Sequence, residues 1–259
     1  MNILLVGDVY SKSGRDAISK YLKDIIIKEK IDFTIVNGEN ISHGKGINKN
    51  HYTFLKKMGV DVITSGNHIF KSSDTVDFID NVDDLLRPAN MNSYLPGKGS
   101  NVYKAKGKKI RVTNLMGKTY MEHVNNPYES MDKILSEDNS DIHIVDFHGE
   151  ASAEKIAFAW NYDGKIDVLV GTHTHVQTAD ERILNKGTAF ITDMGMTGAY
   201  DSIIGANPEE VIKKEKLGIP TKFVPSTNEG MLNGVIVYFN ENNQPTSIKR
   251  VFKYNEHKK

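Results

Sequence analysis

The 259-residue chain contains no cysteine. It therefore cannot form a disulfide framework or a thiolate metal site, and this absence is typical of proteins that work in a reducing interior. No apolar run approaches the roughly 18 residues that a membrane span needs. The N-terminus also lacks the basic stretch, apolar segment and small-residue cleavage site of a secretory signal. We therefore expect a cytoplasmic protein that does not insert into a membrane.

The chain also has no net charge, because Lys plus Arg and Asp plus Glu number 33 each. No global field therefore recruits nucleic acid or an anionic membrane surface. Charge gives no indication of a nucleic-acid partner, and any attraction for a phosphate group must be local. The length suffices for a sizeable core within one domain. Because no internal repeat or clear linker interrupts the chain, we predict a single domain over residues 1–259.

Hydrophobic periodicity alternates between strand and helix in the first two-thirds of the chain, and is mainly strand-like after about residue 165. Ser13, followed by Asp16 three residues later, predicts the start of the first helix. A second helix is predicted over Asn48–Met58, and a later amphipathic helix over 151–160 is expected to bury Trp160, the only tryptophan. Residues 193–229 are rich in Gly, Pro and Met, and we predict a substrate-facing insertion there, because long irregular segments are more often functional than structural.

Five apolar runs end in turns that contain glycine and a side chain able to bind a metal. In an open α/β sheet the carboxyl ends of the strands point to one edge, where ligands bind. We therefore expect the five turns to converge although they span most of the sequence. They supply two carboxylates, two Asn amides and four His side chains, which suits a pair of metal ions better than one. The turns are Gly7-Asp8, Gly38-Glu39-Asn40, Gly66-Asn67-His68, His148-Gly149 and Gly171-Thr172-His173-Thr174-His175.

Each turn taken alone also has an ordinary interpretation. His173 and His175 could be a pair of surface histidines, and Asp8 could be a residue that precedes a helix. Glu39-Asn40 and Asn67-His68 could be cap or turn residues. The occurrence of all five at the same kind of strand end favours a metal site. Mixed imidazole and oxygen ligands favour Fe, Mn, Zn or Co over Mg, which prefers oxygen ligands and water.

The turns resemble the motifs of the calcineurin-like metallophosphoesterases: an Asp motif, a bridging carboxylate, a Gly-Asn-His segment, a lone His and a final Gly-His-X-His. The resemblance covers nearly the whole chain. It implies a four-layer α/β/β/α sandwich of two mixed sheets flanked by helices, and the early βα alternation and the later strand-rich half supply these layers. The sequence departs from the general pattern at Tyr10, where the family commonly has His, and at Glu39, where it commonly has Asp.

These departures are similar to the YmdB-type bacterial branch, in which Asn at the position of Asn40 replaces the lost His ligand. The segments Val36–Asn40 and Thr192–Gly198 also resemble that branch. The resemblance implies a metal-dependent phosphodiesterase that hydrolyses 2′,3′-cyclic nucleotides or related small phosphodiesters. It also implies two metal ions, with iron or manganese preferred over zinc. Related proteins further suggest a homo-oligomer.

The same resemblance implies a role for each motif residue. A bridging Glu39 would keep the ions about 3.5–4 Å apart, which suits in-line phosphoryl displacement. A metal-activated hydroxide would attack phosphorus, and an unligated His68 would give a proton to the leaving ribose oxygen. The first ion would be held by Asp8, Glu39, Asn40 and His175. The second ion would be held by Glu39, Asn67, His148 and His173.

Other residues near the motifs carry less specific signals. His43, in the loop after Glu39-Asn40, and the pair Met194-Gly195 are candidate substrate contacts; the alternatives are a solvated turn and a Gly-rich connection. His143 lies inside a predicted strand, where it is expected to pack or to form a hydrogen bond. The histidines predicted to lie at the surface are His51, His123 and His257.

Three other functions share parts of this pattern. Amidohydrolase and deaminase barrels use a His-X-His pair, but normally at the first strand rather than at the last. A non-catalytic regulator that binds a metal or a nucleotide could keep the same fold, although decay would be expected to remove His68 first. A phosphatase or a nuclease could use the same centre, because a fold does not determine the substrate.

Overall fold

The structure, a computed structural model, describes residues 1–255 of the chain. No helix in that range combines the length and the apolarity that crossing a bilayer requires. The helices are Ser11–Lys28 (α1), Lys49–Lys57 (α2), Thr75–Phe78 (α3), Pro127–Ser136 (α4), Ser152–Asn161 (α5) and Pro208–Leu217 (α6). The strands are Asn2–Val6 (β1), Asp8–Val9 (β2), Phe33–Asn37 (β3), Val62–Thr64 (β4), Ser100–Ala105 (β5), Lys108–Met116 (β6), Ile142–His148 (β7), Val168–Thr172 (β8), Arg182–Ile183 (β9), Ala189–Ile191 (β10), Met196–Ala199 (β11), Gly230–Phe239 (β12) and Pro245–Lys253 (β13).

The strands form two mixed sheets. The larger, seven-stranded sheet has the order β2-β11-β12-β1-β3-β4, and β13 pairs with β12. In it β1, β3 and β4 are parallel, whereas β12 is antiparallel to both β1 and β13. The smaller, six-stranded sheet has the order β5-β6-β7-β8-β10-β9, with β6, β7, β8 and β10 parallel. Each sheet therefore directs several carboxyl ends of parallel strands to one edge.

The side chains of β1 divide between the two faces of the larger sheet, because successive residues of a strand point to opposite sides. Ile3 and Leu5 lie in a core between the sheets together with Ile144 of the smaller sheet. Leu4 and Val6 lie in a second core, which the larger sheet shares with α1 and α2. The larger sheet is thus packed on one face by helices and on the other by the smaller sheet.

A third core covers the outer face of the smaller sheet. Val145 and Phe147 of β7 belong to it, together with Met131 of α4 and Phe158 of α5. The rings of Phe147 and Phe158 lie 4.7 Å apart between centroids. Helices therefore cover the outer face of each sheet, and the predicted four-layer α/β/β/α sandwich is confirmed.

The first helix begins at Ser11, so the prediction that Ser13 and Asp16 cap its start was wrong. Ser13 is buried, and its hydroxyl donates to the carbonyl oxygen of Ser226 at 3.0 Å. Asp16 pairs with Lys12, one turn earlier in the helix. Ser13 therefore ties α1 to a later loop instead of capping it.

The predicted insertion at 193–229 is longer than the segment that leaves the sheet. Its early residues Met196–Ala199 form β11, which pairs with β2 and β12 inside the larger sheet. Residues 200–229 leave the sheet, carry α6 and return to it at β12. Below, "the insertion" means residues 200–229.

The prediction that Trp160 lies in the core was wrong, since this residue is 57% exposed. The buried stripe of α5 consists of Lys155, Phe158 and Ala159, at the helical spacing i, i+3, i+4. Trp160 lies off that stripe and faces solvent. The helix is amphipathic as expected, but Trp160 is not part of its buried face.

The remaining histidines occupy different surroundings. His143 is buried as predicted, with Nε2 2.9 Å from Thr113 Oγ1 and Nδ1 2.6 Å from Asp138 Oδ2. His123 is exposed as predicted. His51 is only half-exposed, because its Nδ1 lies 2.7 Å from Ser42 Oγ, so the surface prediction was wrong for it. His257 lies outside the described residues.

The two aromatic residues of α5 give a direct test of the packing. Phe158→Ala is expected to lower the free energy of unfolding by about 3–5 kcal/mol, because it empties a fully buried site. Trp160→Ala, two residues further along the same helix, is expected to stay within about 0.5 kcal/mol of wild type. Urea denaturation measures both values. Equal losses for the two variants would contradict the orientation of α5 described above.

Candidate metal centre

The glycine-containing turns lie at the carboxyl ends of strands from both sheets. In the larger sheet Asp8 follows β1, Glu39-Asn40 follow β3, and Asn67-His68 follow β4. In the smaller sheet His148 ends β7, and the loop His173–His175 follows β8. Because β1, β3 and β4 run parallel, as do β7 and β8, these ends meet at one edge of the sandwich.

The first group of donors surrounds the fully buried Asp8. Asp8 Oδ2 lies 3.1 Å from His175 Nε2. Asn40 Nδ2 lies 3.1 and 3.0 Å from the two Asp8 carboxylate oxygens, and 3.4 Å from His175 Nε2. Asn40 presents its amide nitrogen here, so binding a cation through its oxygen requires the amide group to turn over.

The second group of donors surrounds His148. Its Nε2 lies 3.0 Å from His173 Nδ1, 3.2 Å from Asn67 Oδ1 and 3.3 Å from Glu39 Oε2. The other oxygen of Glu39, Oε1, accepts a hydrogen bond from the backbone N–H of His68 at 3.0 Å. The structure therefore brings the eight residues of the sequence motifs into two adjacent groups, with Glu39 in contact with the second.

The spacing within the two groups is that of ligands around a divalent ion. Nitrogen and oxygen ligands at 2.0–2.2 Å from a metal, with tetrahedral or octahedral angles, lie about 2.8–3.6 Å from one another. The contacts around His148 and those around Asp8 span 3.0–3.4 Å. Glu39 Oε2 supports the fit, because it is buried and accepts no hydrogen bond in the described part of the chain.

The donors nevertheless do not form a closed metal shell. Among residues 1–255, no three His, Asp or Glu side chains have the geometry to hold a metal ion as they stand. They contact one another instead, and Asn40 and Asn67, which are neither His nor carboxylate, complete the two groups. The donor chemistry thus fits two cations, and binding would exchange contacts between donors for contacts to the ions.

Burial determines the protonation of these side chains. It raises the pKa of Glu39 to about 8, and the neighbouring Asp8 carboxylate adds to this shift. Burial lowers the pKa of His148 and of His173 to about 4, so both keep a lone pair at neutral pH. Burial also opposes the charged form of His175, but the Asp8 carboxylate outweighs it and raises the pKa of His175 to about 9. Asp8 and His175 therefore form an ion pair.

Residues around the site fix which nitrogen two of the histidines present. Thr172 Oγ1 donates to Asp146 Oδ1 at 2.7 Å and lies 3.0 Å from His148 Nδ1. It therefore accepts from Nδ1–H of His148, which leaves Nε2 with its lone pair. His173 Nε2 faces Glu150 Oε2 at 3.2 Å, which leaves Nδ1 for the site. Hydrogen bonds of this kind orient metal-binding histidines in proteins.

A fully buried ion pair anchors the loop His173–His175. Lys155 Nζ lies 2.9 Å from Asp193 Oδ2 and 3.2 Å from the carbonyl oxygen of Thr172. The same Asp193 oxygen accepts from the backbone N–H and the hydroxyl of Thr174, at 3.1 and 2.8 Å. Both histidines of the loop have positive φ, 104° and 67°, which side-chain-bearing residues rarely adopt. The ion pair therefore holds a strained loop in place.

His68 lies at the rim of the site, with its side chain 25% exposed. Its Nδ1 lies 2.9 Å from Asn40 Oδ1 and 3.2 Å from Glu39 Oε1, so neither contact uses Nε2. Burial lowers the pKa of His68, and the Glu39 carboxylate opposes that shift. The nearby Lys45 ammonium lowers the same pKa. His68 is thus held at one nitrogen and accessible at the other.

The three candidate substrate contacts lie in different places. His43 is exposed and lines a cleft beside the site. Met194 is 1% exposed and belongs to the core between the sheets. Gly195 is buried, and a Cβ added to Gly7 would collide with the carbonyl oxygen of Gly195. Both Met194 and Gly195 are used in packing, and their contact with the substrate stays a prediction.

Sequence reasoning missed the residues that support the ligands. Lys155 interrupts the apolar stripe of α5, and Asp146 interrupts the buried strand β7. A charged residue in an otherwise buried pattern needs a partner, so both positions carried a usable signal. Glu150 and Thr172 carried none, since polar residues are ordinary in the turns that follow strands.

Comparison with known proteins agrees with the family resemblance of the sequence motifs. The family model described as YmdB-like protein matches residues 4–251 of the chain. A Bacillus subtilis (strain 168) protein named 2′,3′-cyclic-nucleotide 2′-phosphodiesterase is 42% identical over 260 residues, which covers 99% of this chain and 98% of that protein.

Two crystal structures resemble the whole fold. A hypothetical protein from Thermus thermophilus has a TM-score of 0.93 and 33% identity, covering 98% of this chain and 99% of that one. A structure described as a novel phosphatase from Mycoplasma pneumoniae has a TM-score of 0.93 and 38% identity, covering 98% of this chain and 93% of that one. The match therefore extends over the site as well as over both sheets.

Gly66→Ala tests whether metal binding needs the close approach of Glu39 and His148 over the bare backbone of Gly66. An added Cβ would overlap Glu39 Oε2 and His148 Nε2. We expect metal binding to weaken at least about 100-fold, since losing an outer partner alone costs 10- to 100-fold. Manganese titration followed by elemental analysis measures the effect. Gly107→Ala is the control, because an added Cβ there meets nothing within 4 Å, and at φ 76° it strains only its own turn between β5 and β6; equal affinity in both variants would contradict the expectation.

Lys155→Met tests the buried ion pair. It is expected to lower the free energy of unfolding by about 3–5 kcal/mol, because it leaves Asp193 buried without its charge partner. Metal affinity is expected to fall about 10- to 100-fold, because the histidine loop loses its anchor. Lys57→Met, at an exposed position on α2, is the control.

The double variant Lys155→Met/Asp193→Leu separates the two effects. Removing both charges is expected to recover much of the stability, because no unpaired charge stays buried. Metal affinity is expected to stay low. Full metal affinity in the double variant would show that the ion pair contributes only to stability.

Proposed function

The chain belongs to the YmdB-like protein family, and on this premise we propose that it is a metal-dependent phosphodiesterase that hydrolyses 2′,3′-cyclic nucleotides. The name of the Bacillus subtilis relative supports the substrate, and its match spans 99% of this chain. The description of the Mycoplasma pneumoniae structure as a phosphatase supports the broader chemistry, hydrolysis of a phosphate ester.

The observation that carries the proposal is the approach of two donor groups on either side of Glu39. Glu39 Oε2 contacts His148 in the second group, and its pKa responds to Asp8 in the first. The proposed ligands of the first ion are Asp8, Glu39, Asn40 and His175. The proposed ligands of the second ion are Glu39, Asn67, His148 and His173.

Mixed imidazole and oxygen donors suit iron or manganese, with zinc as the alternative. When bound, such ions supply Lewis-acid activation of water and of the phosphoryl oxygens. The chain's own contribution is to fix the donors. The neutral imidazoles of His148 and His173, oriented by Thr172 and Glu150, keep the proposed ligating nitrogens aimed at one place.

The proposed reaction adds one water molecule across the bond between phosphorus and the ribose 2′ oxygen. Phosphorus gains the water oxygen, and the 2′ oxygen leaves with the bonding electron pair and takes up a proton. The products carry a 3′-phosphomonoester and a free 2′-hydroxyl. The leaving alkoxide is a poor leaving group without that proton, so a general acid accelerates the step.

His68 is the proposed source of the proton. Asn40 and Glu39 hold its Nδ1, so Nε2 is the nitrogen that can meet the leaving oxygen. Burial lowers the pKa of His68, and the Glu39 carboxylate opposes this shift without outweighing it. His68 Nε2 is therefore the proposed proton donor, and the contact of His68 Nδ1 with Asn40 Oδ1 would be exchanged when the Asn40 amide turns to bind an ion.

His68→Ala is expected to reduce turnover of 2′,3′-cyclic AMP by about 100- to 10,000-fold while metal content stays unchanged. Dialysis against a chelator is expected to abolish the activity of the wild type, and Mn²⁺ or Fe²⁺ to restore it. Turnover is followed by chromatography of the 3′-nucleotide product, and metal content by elemental analysis.

His123→Ala is the matched control, because it removes an exposed imidazole that contributes no ligand. Turnover by His68→Ala equal to that of the control would remove His68 from the mechanism. No turnover of cyclic or linear diesters by the metal-loaded wild type would favour a non-catalytic regulator and contradict the proposed function. Turnover of linear monoesters alone would indicate a phosphatase instead.

A further inference from the structure

A cleft opens beside the metal centre, between the turns that carry its ligands and the insertion. Its volume is 740 Å³. One wall consists of residues from 42–48 and 71–73, which follow the ligand turns Glu39-Asn40 and Asn67-His68 in sequence. The other wall comes from the insertion, at residues 214, 221–223 and 225. A cleft of this size accommodates a ligand much larger than one phosphate group.

Tyr10 joins this cleft to the metal centre. Its ring lines the cleft and also lies edge-on to His175, with 5.6 Å between the ring centroids. Gly44 and Gly205 lie against the ring, since a Cβ on either would come as close as 2.8 and 2.6 Å to its atoms. Tyr10 therefore contacts both the cleft and His175, which puts the cleft next to the first donor group.

The cleft is positively charged although the chain is neutral. Four lysines line it, and none of the lining residues within 1–255 is acidic. All four are exposed, and of these only Lys71 has an ion pair in the described region, with Glu122 at 3.6 Å. The four are Lys45, Lys71, Lys214 and Lys222. A cyclic mononucleotide brings one negative charge, which the ions would already attract, so the lysines favour a ligand with further phosphates.

Flat rings lie among the lysines. Phe223 is 38% exposed, and Lys214 Nζ lies 5.1 Å from the centre of its ring. Tyr10 and His43 add two more rings to the same lining. A basic groove with interspersed rings is the arrangement that binds single-stranded nucleic acid, because the cations pair with phosphates and the bases stack on the rings.

We propose that the cleft binds single-stranded RNA whose 3′ end carries the 2′,3′-cyclic phosphate. This inference rests on the proposed function, which puts the cyclic ester at the metal centre. The preceding nucleotides would follow the cleft, with their phosphates near Lys214 and Lys222 and a base against Phe223. RNA, not DNA, is the partner because only a ribose has the 2′-hydroxyl that closes the ring.

The chemistry of the substrate also defines the reaction that supplies it. A 2′,3′-cyclic end arises when a ribose 2′-hydroxyl attacks the adjacent phosphodiester and the 5′ oxygen of the next nucleotide leaves with the proton. No water is consumed in that cleavage. The hydrolysis proposed here then adds one water to the P–O2′ bond, so that the RNA ends in a 3′-phosphate beside a free 2′-hydroxyl.

A comparison of substrate lengths tests the inference. The substrates are 2′,3′-cyclic AMP and an adenosine tetranucleotide with the same cyclic end, each at low and at moderate salt. We expect kcat/KM for the tetranucleotide to be at least about tenfold higher at 50 mM salt, and this advantage to shrink at 200 mM salt because the added contacts are electrostatic.

Lys214→Ala/Lys222→Ala is expected to remove most of the advantage of the tetranucleotide and to change kcat/KM for 2′,3′-cyclic AMP less than about twofold, since those lysines face only additional phosphates. Lys57→Ala/Lys133→Ala removes the same charge at exposed positions outside the cleft and is the matched control. Equal kcat/KM for both substrate lengths in the wild type would overturn the inference and leave the proposed function standing.

A binding experiment gives a readout independent of turnover. The probe is a fluorescent tetranucleotide with an ordinary 3′-phosphate, which the proposed reaction cannot hydrolyse, and anisotropy is measured across salt concentrations. The slope of log affinity against log salt is expected to fall by about 1.4 in Lys214→Ala/Lys222→Ala, at about 0.7 for each lost phosphate contact. An unchanged slope would overturn the inference. Binding with the expected slope but no turnover of any diester would uphold the cleft and contradict the proposed function.

Discussion

The packing of the two sheets against each other is the constraint on which the site depends. Each donor group takes members from both sheets: Asp8 meets His175, and Glu39 meets His148. The core that includes Ile3 and the facing side chains of the smaller sheet therefore sets the distances between donors. A slip of one residue along a strand moves a side chain by about 3.3 Å, which is as long as these contacts themselves.

Burying many polar groups in one place opposes folding, and the structure offsets this desolvation cost with successive layers of polar contacts. Donors first contact one another, and their far atoms then meet residues such as Thr172 and Glu150. Behind these lies a third layer with the buried charges of Asp146, Lys155 and Asp193. Groups in each layer contact polar atoms of the layer before it, so residues that touch no substrate help to hold the ligands rigid.

The strand-end motifs could be predicted from the sequence because a carboxyl end has a fixed place in a parallel sheet. That rule brings Asp8 near Glu39 and His148 near His173, because each pair follows neighbouring parallel strands, whereas the meeting of Asp8 with His175 also needs the packing of the two sheets. The burial of Met194 and the exposure of Trp160 could not be predicted, because they depend on which face of an element meets a neighbour. The cleft lysines could not be predicted from a local sequence pattern either. Lys45 and Lys222 are far apart in the chain, and they line the same cleft only because of the path that the insertion takes.

Tyr10 fills a space that two glycines leave open beside the first donor group. Gly44 and Gly205, with φ of 85° and 100°, leave room for the phenol ring, while Asn40 lies beside Asp8 as an amide. A smaller side chain at position 10 alone would leave a void between the two glycines. The fit of the ring also couples positions far apart in the chain, because a side chain at Gly44 or at Gly205 would displace the phenol that lies against His175.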